Sequence, residues 1–379
     1  MSENVYIIGT DMTKFGKYPE VSLSNLAAEA ALGALDDAGV TIKDCEALYF
    51  GSLQGGVGQG LLKQIGQTGV PVINVSNACA TGATAIREGW TAIKAGLYDV
   101  VLCVGAEKMS GAGLLGGGGG GGGIPTEGLL GSGTMPTVFA EIGMEHSRKY
   151  GTTFEQFAKV SVKNHHHSTM NPKSRYQIET PLPEVMNSEM IAYPNTKLMC
   201  SVNVDGSAAA VLCSERKARE LGMSRAVRIA ASILTTDPWS VRDLALADVN
   251  TCTRAAAAQA YEWAGLGPDD LDLVELHDCF ATAELVHYEN LGLCKDGEAG
   301  RLIDEKETYL GGRIPVNVSG GLLSKGHPIG ATGVANVYEV TTHLRGEAGA
   351  RQVENAKVGL AQVIGLGSTC GIHNLEKVP

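Results

Sequence analysis

The sequence predicts an α/β protein made from a duplicated strand–helix unit, and three observations carry that prediction. Short β-branched runs alternate with stretches of helical spacing along most of the chain. Fifty glycines among 379 residues suit a fold with many tight strand–helix turns and close backbone packing. The two halves also echo each other. Asn74-Val75-Ser76 is followed by Ala80-Thr81-Gly82, a helix, and a strand ending Cys103-Val104-Gly105. Asn317-Val318-Ser319 is followed by Ala331-Thr332-Gly333, a helix, and a strand ending Val363-Ile364-Gly365. The second copy carries an insert, Gly320 to Gly330, between its tripeptides. Such duplication predicts two similar layered halves facing across a pseudo-two-fold axis.

In chain order, Val5 to Ile8 reads as a strand. A helix follows, from Ser22 or Ser24 as N-cap through Ala27, Ala31 and Leu35, with Gly39 as its stop. Glu46 to Gly51 is strand-like. The stretch Gly51 to Gly60 has neither dinucleotide-binding nor phosphate-loop spacing, so it reads as a flexible turn into the next helix. Val70-Pro71-Val72-Ile73 is a buried strand, and Ala83 to Leu97 a helix. Asp99 to Gly105 is a continuous apolar strand, as expected at the centre of a sheet covered on both faces. Gly116 to Gly123, eight glycines in a row, reads as a flexible loop.

From Gly111 to Asn195 polar helical segments replace the strand pattern, including Phe154 to Val160. His165-His166-His167 falls here. Adjacent residues point in different directions and do not easily share one ion, so these read as surface histidines. The segment has the look of an insertion covering something, with Arg148, Lys149, Lys163, Lys173 and Arg175 against an acidic background. Order returns at Asp205 to Cys213, a small-residue strand. The second half opens near Ala226 to Ala230, and its helix around Arg254 to Ala264 leads to the strand Leu271 to Leu276. The expected units are therefore residues 1–110 with 196–225, an inserted segment 111–195, and 226–379.

Composition narrows the function. A net charge of −11 argues against a nucleic-acid surface, and no apolar run approaches the length of a membrane span. The N-terminus enters a strand directly, without the pattern of a signal peptide. Nine cysteines with no C-x-x-C pair fit scattered thiols in a reducing, cytoplasmic setting better than disulfides or structural zinc.

Four stretches carry chemistry. Cys79 sits where a strand turns into a helix, where unpaired N–H groups and the positive helix end favour a thiolate. Ala78, Ala80 and Gly82 leave room for a substrate. A buried, inert cysteine is the alternative. The others are His277-Asp278-Cys279-Phe280, Lys325-Gly326-His327-Pro328-Ile329-Gly330, and Ile364-Gly365-Leu366-Gly367. Singly, His277 reads as a satisfied core histidine, His327 as a turn residue and Cys279 as apolar filler. Together they supply a nucleophile, two histidines, a second thiol and a glycine loop, the parts for acyl transfer through a cysteine thioester.

These motifs resemble the thiolase family over nearly the whole chain. Asn77-Ala78-Cys79-Ala80-Thr81-Gly82, Gly326-His327-Pro328 and the C-terminal glycine loop are similar to thiolase signatures. His277-Asp278-Cys279-Phe280 resembles the branch typified by sterol-carrier-protein-2 thiolase, where most other thiolases carry Asn-Glu-Ala-Phe. The resemblance implies a duplicated five-layered αβαβα architecture with an inserted loop domain. It implies an acyltransferase in which Cys79 attacks the 3-keto carbonyl of a 3-oxoacyl-CoA. His327 would activate Cys79 and donate to the thioester oxygen. His277 would complete that oxyanion site where the family's Asn orders a water. The N–H groups of Cys79 and Gly365 would form a second oxyanion site.

One departure matters. Many thiolases carry an acid/base cysteine in a C-x-G motif at the last loop, and here Val363 stands at the matching position. Proton transfer needs a group whose pKa suits the working pH. Cys279 is the candidate, and Cys370 the fallback. The resemblance further implies coenzyme A as co-substrate with no tightly bound cofactor, and a homodimer or dimer of dimers. Some relatives work with a small partner carrying a zinc ribbon and an OB-fold. A retro-aldolase on the same fold, or a non-catalytic acyl-CoA-binding subunit, are the competing readings.

Overall fold

A computed structural model describes residues 4–54, 57–110, 135–239, 252–365 and 369–378. The N-terminal half begins with β1 (Val5–Met12), α1 (Leu23–Ala38), β2 (Ala47–Gly51), α2 (Gly58–Ile65), β3 (Val72–Val75), α3 (Thr81–Lys94) and β4 (Val100–Lys108). The inserted segment then gives α4 (Met135–Tyr150), α5 (Phe154–Ser168), α6 (Leu182–Asn187) and a small hairpin, β5 (Met190–Ala192) with β6 (Asn195–Thr196). The first half closes with β7 (Asp205–Ser214) and α7 (Glu215–Leu221). The second half runs β8 (Val227–Thr235), α8 (Cys252–Ala264), β9 (Leu273–Glu275), α9 (Ala281–Asn290), α10 (Ala299–Asp304), α11 (Ile329–Arg345), β10 (Val358–Gly365) and β11 (Thr369–Lys377).

Local chemistry accounts for the boundaries. The Ser22 hydroxyl accepts from the Asn25 N–H at 3.2 Å and starts α1, while Gly39 at φ 66° ends it. In α5 the Thr153 and Gln156 side chains each pair with the other's backbone N–H, a reciprocal cap that opens the helix.

The strands join in the order β3-β2-β4-β7-β1-β8-β11-β10-β9, which reads as two copies back to back. The join is slight, two residue pairs between β1 and β8. Outward from it, β7 and β4 pair antiparallel on one side as β11 and β10 do on the other. Beyond them β4 and β2 are parallel, as are β10 and β9. Even β3 has a counterpart, the parallel bridge of Val316 to Val274.

Three large apolar cores fill the spaces between five layers, the middle one enclosing both faces of the central helices. In β4, Val100, Leu102 and Val104 face α1, whereas Val101 and Cys103 face inward, so both faces are covered as the apolar run implied. The inner core holds Ala85, Ile86 and Ile93 of α3 and Val334, Val337 and Leu344 of α11 between strands of both halves. The outermost core lies between α8, α9 and the C-terminal strands and extends onto α4 and α5. The architecture is therefore helices, strands, the central α3/α11 pair, strands, helices.

Glycine makes the central crossing. A Cβ on Gly82 would lie 2.9 Å from Gly330 O and from Val334 N, and one on Gly333 would lie 2.2 Å from Ala83 N. The repeated Ala-Thr-Gly is thus the point where two helix N-termini touch backbone to backbone.

The inserted helices α4 and α5 pack on α9, and α5 also packs on the turn at 321–325. This corrects the surface reading of the three histidines. Only His166 is exposed, where it meets Glu179; His165 and His167 are buried. Successive helical residues lie about 100° apart, and a helix covered on two sides buries most of them. His167 bridges two loops, its Nδ1 donating to Asn317 O at 3.0 Å and its Nε2 accepting from the Leu310 N–H at 3.0 Å. The eight-glycine run lies outside the described residues. Among the described residues no helix is long and apolar enough to cross a membrane.

Candidate active site

The strand β3 ends at Val75, and the chain reaches α3 through a corner tight enough to force Ala78 to φ 47°. Left-handed backbone at a residue with a Cβ is uncommon and costs of order 1 kcal/mol, so the surroundings must impose it. They do. The Thr81 hydroxyl donates to Ala78 O at 2.6 Å and accepts from the Asn77 N–H at 2.8 Å. The Asn77 amide donates to Thr84 Oγ1 at 3.1 Å. Cys79 is held on this corner, half-buried, two residues ahead of the helix.

His327 arrives from the other half. Gly320 and Gly321 take positive φ and begin a single π-helical turn, Gly321–Lys325, after which Gly326 at φ 117° turns the chain into His327-Pro328 and α11. The backbone N–H groups of Arg175 and Tyr176 donate to Lys325 O and Ser324 O at 3.0 and 3.1 Å, so the inserted segment braces this loop from outside. The Thr332 hydroxyl donates its one proton to Pro328 O at 3.1 Å and lies 2.7 Å from His327 Nδ1. It must then accept from Nδ1–H, which leaves Nε2 with the lone pair.

His277 follows β9, its backbone N–H donating to Gln362 Oε1 at 2.9 Å. Its ring stands edge-on to that of His327 at 5.3 Å between centroids, and neither ring nitrogen has a hydrogen-bond partner. One donor atom from each of Cys79, His277 and His327 lies within 4.8 Å of the other two. Three residues from two halves thus meet at one point.

Asp278, between His277 and Cys279, faces away into a buried network. Its carboxylate accepts from the Leu322 and Leu323 N–H groups at 2.8 and 3.3 Å and from the Asn164 amide at 2.7 Å. Asn164 also donates to Glu284, which is ion-paired with buried Lys163. One side chain therefore ties the His277–Cys279 stretch to the turn that presents His327 and to the inserted helix α5.

Burial sets the protonation. It holds the His327 imidazole down to about 3 and the His277 imidazole well below its ordinary value, so both are neutral. It pushes the Cys79 thiol up to about 12. This reverses the expectation of a resting thiolate: loss of water outweighs the favourable helix end. Cys79 therefore needs a base, and a neutral histidine stands beside it. Burial also raises Cys279 well above an ordinary thiol, and a charge on Cys79 raises it further, which places the two sulfurs in each other's field.

Gly365 ends β10 against the same corner; a Cβ there would lie 2.5 Å from Asn77 O. Leu366 and Gly367 lie outside the described residues. Cys370 is elsewhere, in the outer core, where it meets Cys252 and Thr253 of α8 and accepts from the Gln362 amide at 3.8 Å. From sequence alone Thr332, Asn164 and Gln362 carried no site role, and Lys163 stood only among the basic residues of the insert. Thr332 was in plain view as the middle of the second Ala-Thr-Gly, while the other three gain meaning only from what packs on them.

Both halves of the chain match families of known class. Residues 5–183 match the description "Thiolase, N-terminal domain" and residues 240–373 match "Thiolase C-terminal domain-like". The chain belongs to the thiolase family. It is 41% identical to human sterol carrier protein 2 over 389 aligned positions, covering 96% of this chain and 70% of that one. It is 38% identical to the acetyl-CoA acetyltransferase of Methanothermobacter thermautotrophicus, covering 98% of both. Among solved structures, the aldolase described as Ltp2-ChsH2(DUF35) superposes with a TM-score of 0.85 at 25% identity, over 99% of this chain and 98% of that one.

Proposed function

We propose that this protein is a 3-oxoacyl-CoA thiolase, working toward cleavage or toward Claisen condensation through an acyl-Cys79 intermediate. The observation that carries the reading is the meeting of Cys79, His277 and His327 within 4.8 Å in a thiolase-family chain. His327 Nε2 takes the Cys79 proton as the sulfur attacks the 3-keto carbon. The C2–C3 bond breaks, and its electron pair passes to the departing thioester as an enolate. The protonated His327, with a water held at His277, stabilises the enolate oxygen. Cys279 protonates C2, completing acetyl-CoA. A coenzyme A thiol then gives its proton to Cys279 and attacks the acyl-cysteine, with the N–H groups of Cys79 and Gly365 holding the tetrahedral oxyanion. Its collapse breaks the bond to Cys79 Sγ, and the leaving sulfur takes back the proton held by His327.

The scheme uses coenzyme A as co-substrate and calls for no tightly bound cofactor. We place the protein in a reducing, cytoplasmic setting, where scattered free thiols persist. β3 is an outer strand of the sheet, with Val72, Ile73 and Val75 half-buried, an edge that suits a second copy in a homodimer.

The aldolase relative favours a second reading, retro-aldol cleavage alongside a small partner protein. That chemistry needs no acylated cysteine. Incubation with a panel of 3-oxoacyl-CoAs plus coenzyme A, followed by mass analysis of the Cys79 peptide, separates the two. An acyl adduct that coenzyme A removes supports thiolysis; absence of any adduct across the panel rejects it. Full thiolase activity of the purified chain alone excludes an obligatory partner.

A further inference from the structure

We propose that Cys79, His277 and His327 also form a binding site for a thiophilic divalent cation, Zn2+ foremost, whose occupancy blocks the nucleophile. One donor atom from each residue already lies within 4.8 Å of the other two. Tetrahedral zinc, with bonds of about 2.0–2.3 Å, sets its donors roughly 3.5 Å apart, so closure asks for about 1 Å of inward movement. The side chains permit it. The His277 ring is buried and neither nitrogen is hydrogen-bonded, so turning one toward an ion breaks nothing. His327 has the support usual for a ligating imidazole, its second nitrogen fixed by Thr332 at 2.7 Å. Cys79 is half-buried and flanked by the small residues Ala78 and Ala80.

The donor set decides which ion. One thiol and two imidazoles suit Zn2+ and its softer neighbours, whereas Mg2+ and Ca2+ require oxygen ligands that this cluster lacks among the described residues. Binding exchanges a proton for the metal. The Cys79 S–H bond breaks, a sulfur–metal bond forms, the proton leaves to solvent, and no electron is transferred. The site is specific to a chain with histidine at position 277, because an asparagine there offers no imidazole. Binding stands independently of the acyl-transfer reading; only its effect on turnover rests on that reading.

Co2+ is the probe. The wild-type protein should take up one equivalent and show a thiolate-to-cobalt charge-transfer band. That band should vanish in Cys79→Ser and require at least ~10-fold more Co2+ in His277→Asn, with circular dichroism establishing that both variants are folded. On the unmodified protein, Zn2+ should slow iodoacetamide labelling of the Cys79 peptide, a chelator should restore it, and Mg2+ should do nothing. No cobalt band, or one undiminished in His277→Asn, overturns the proposal, as does Cys79 labelling indifferent to Zn2+. A cobalt band in a protein that acylates with no 3-oxoacyl-CoA upholds the metal site while removing the thiolase reading. Zn2+ that binds should also inhibit turnover competitively with acyl-CoA.

Discussion

Two corners of this molecule occupy equivalent places in its two halves. Each leaves the edge of a sheet and enters a central helix whose first turn reads Ala-Thr-Gly. At the first, only Asn77, Ala78 and Cys79 separate Ser76 from Ala80. So short a path forces left-handed backbone at Ala78 and holds a thiol on the bend. At the second, Gly320 to Gly330 separate Ser319 from Ala331, and the extra length forms a π-helical turn that carries His327 toward Cys79. The helices that follow stay alike because they must still cross at Gly82 and Gly333. Duplication supplied the frame, and a difference in loop length placed the proposed nucleophile, Cys79, on one corner and the proposed base, His327, on the other.

The largest break in that division should come from Cys79→Ser. We expect thiolysis to fall by roughly a million-fold, the scale on which a covalent triad fails when its nucleophile is lost. The Cys79 peptide should then carry no acyl group in mass spectra, whereas an equivalent loss on the His327 side leaves the thiol alkylatable.

The next comparison sets the second thiol of the site against the thiol of the outer core. Cys279→Ala should still accept an acyl group from an activated acyl-CoA but lose about 100- to 10,000-fold in condensation, the usual range for a general acid/base. Cys370→Ala, which removes a sulfur packed on Cys252, should leave condensation within a few-fold. The reverse pattern in steady-state rates rejects Cys279 as the proton carrier.

The crossing itself is open to test. Gly333→Ala sets a methyl 2.2 Å from Ala83 N, and Gly82→Ala one 2.9 Å from its nearest neighbours, all backbone. Overpacking of this kind costs about 1–3 kcal/mol, and Gly333→Ala should lie at the upper end. Thermal melting that ranks Gly82→Ala as the worse variant would contradict this account of the crossing.

The smallest effect distinguishes the halves by pH. Every histidine of the chain lies beyond residue 145, in the insert or the C-terminal half. Burial lowers His165 and His343 to about 4, and His287, His327 and His373 to about 3, with His167 and His277 also well below the ordinary value. The unfolded chain takes up these protons below about pH 6.5 and the folded one does not, so stability is full above that pH and declines as pH falls. Asp278 and Glu275, whose carboxyls burial raises, oppose this. They are outnumbered. Hydrogen exchange at pH 5 against pH 7 should therefore show greater loosening in the insert and C-terminal half than in residues 4–110. Equal loosening of both would refute the assignment.

Much of this could be read directly from the chain. The alternation of β-branched runs and helical spacing predicted the layers, because a strand buried on both faces must be apolar throughout. The repeated tripeptides predicted two similar halves; the sheet order, which pairs β4 with β7 as β10 with β11, came from the structure. Even the bounds of α1 were nearly fixed, by Ser22 or Ser24 at its start, where the structure uses Ser22, and by Gly39 at its end, since capping is decided by neighbours in sequence.

What the sequence by itself determined, then, was the order of elements and which residues to look for at a candidate site. Tertiary structure decided their state. His165 and His167 are buried because α5 is covered by the second half, a fact that no run of three histidines contains. Cys79 stands at the helix end that favours a thiolate, yet it is held as a thiol, because desolvation depends on everything packed around the sulfur. Asp278 acts as a tether only because Leu322, Leu323 and Asn164 come to it from distant segments. Spacing is local and survives in the sequence; burial and electrostatic field are sums over the whole molecule and appear only when it folds.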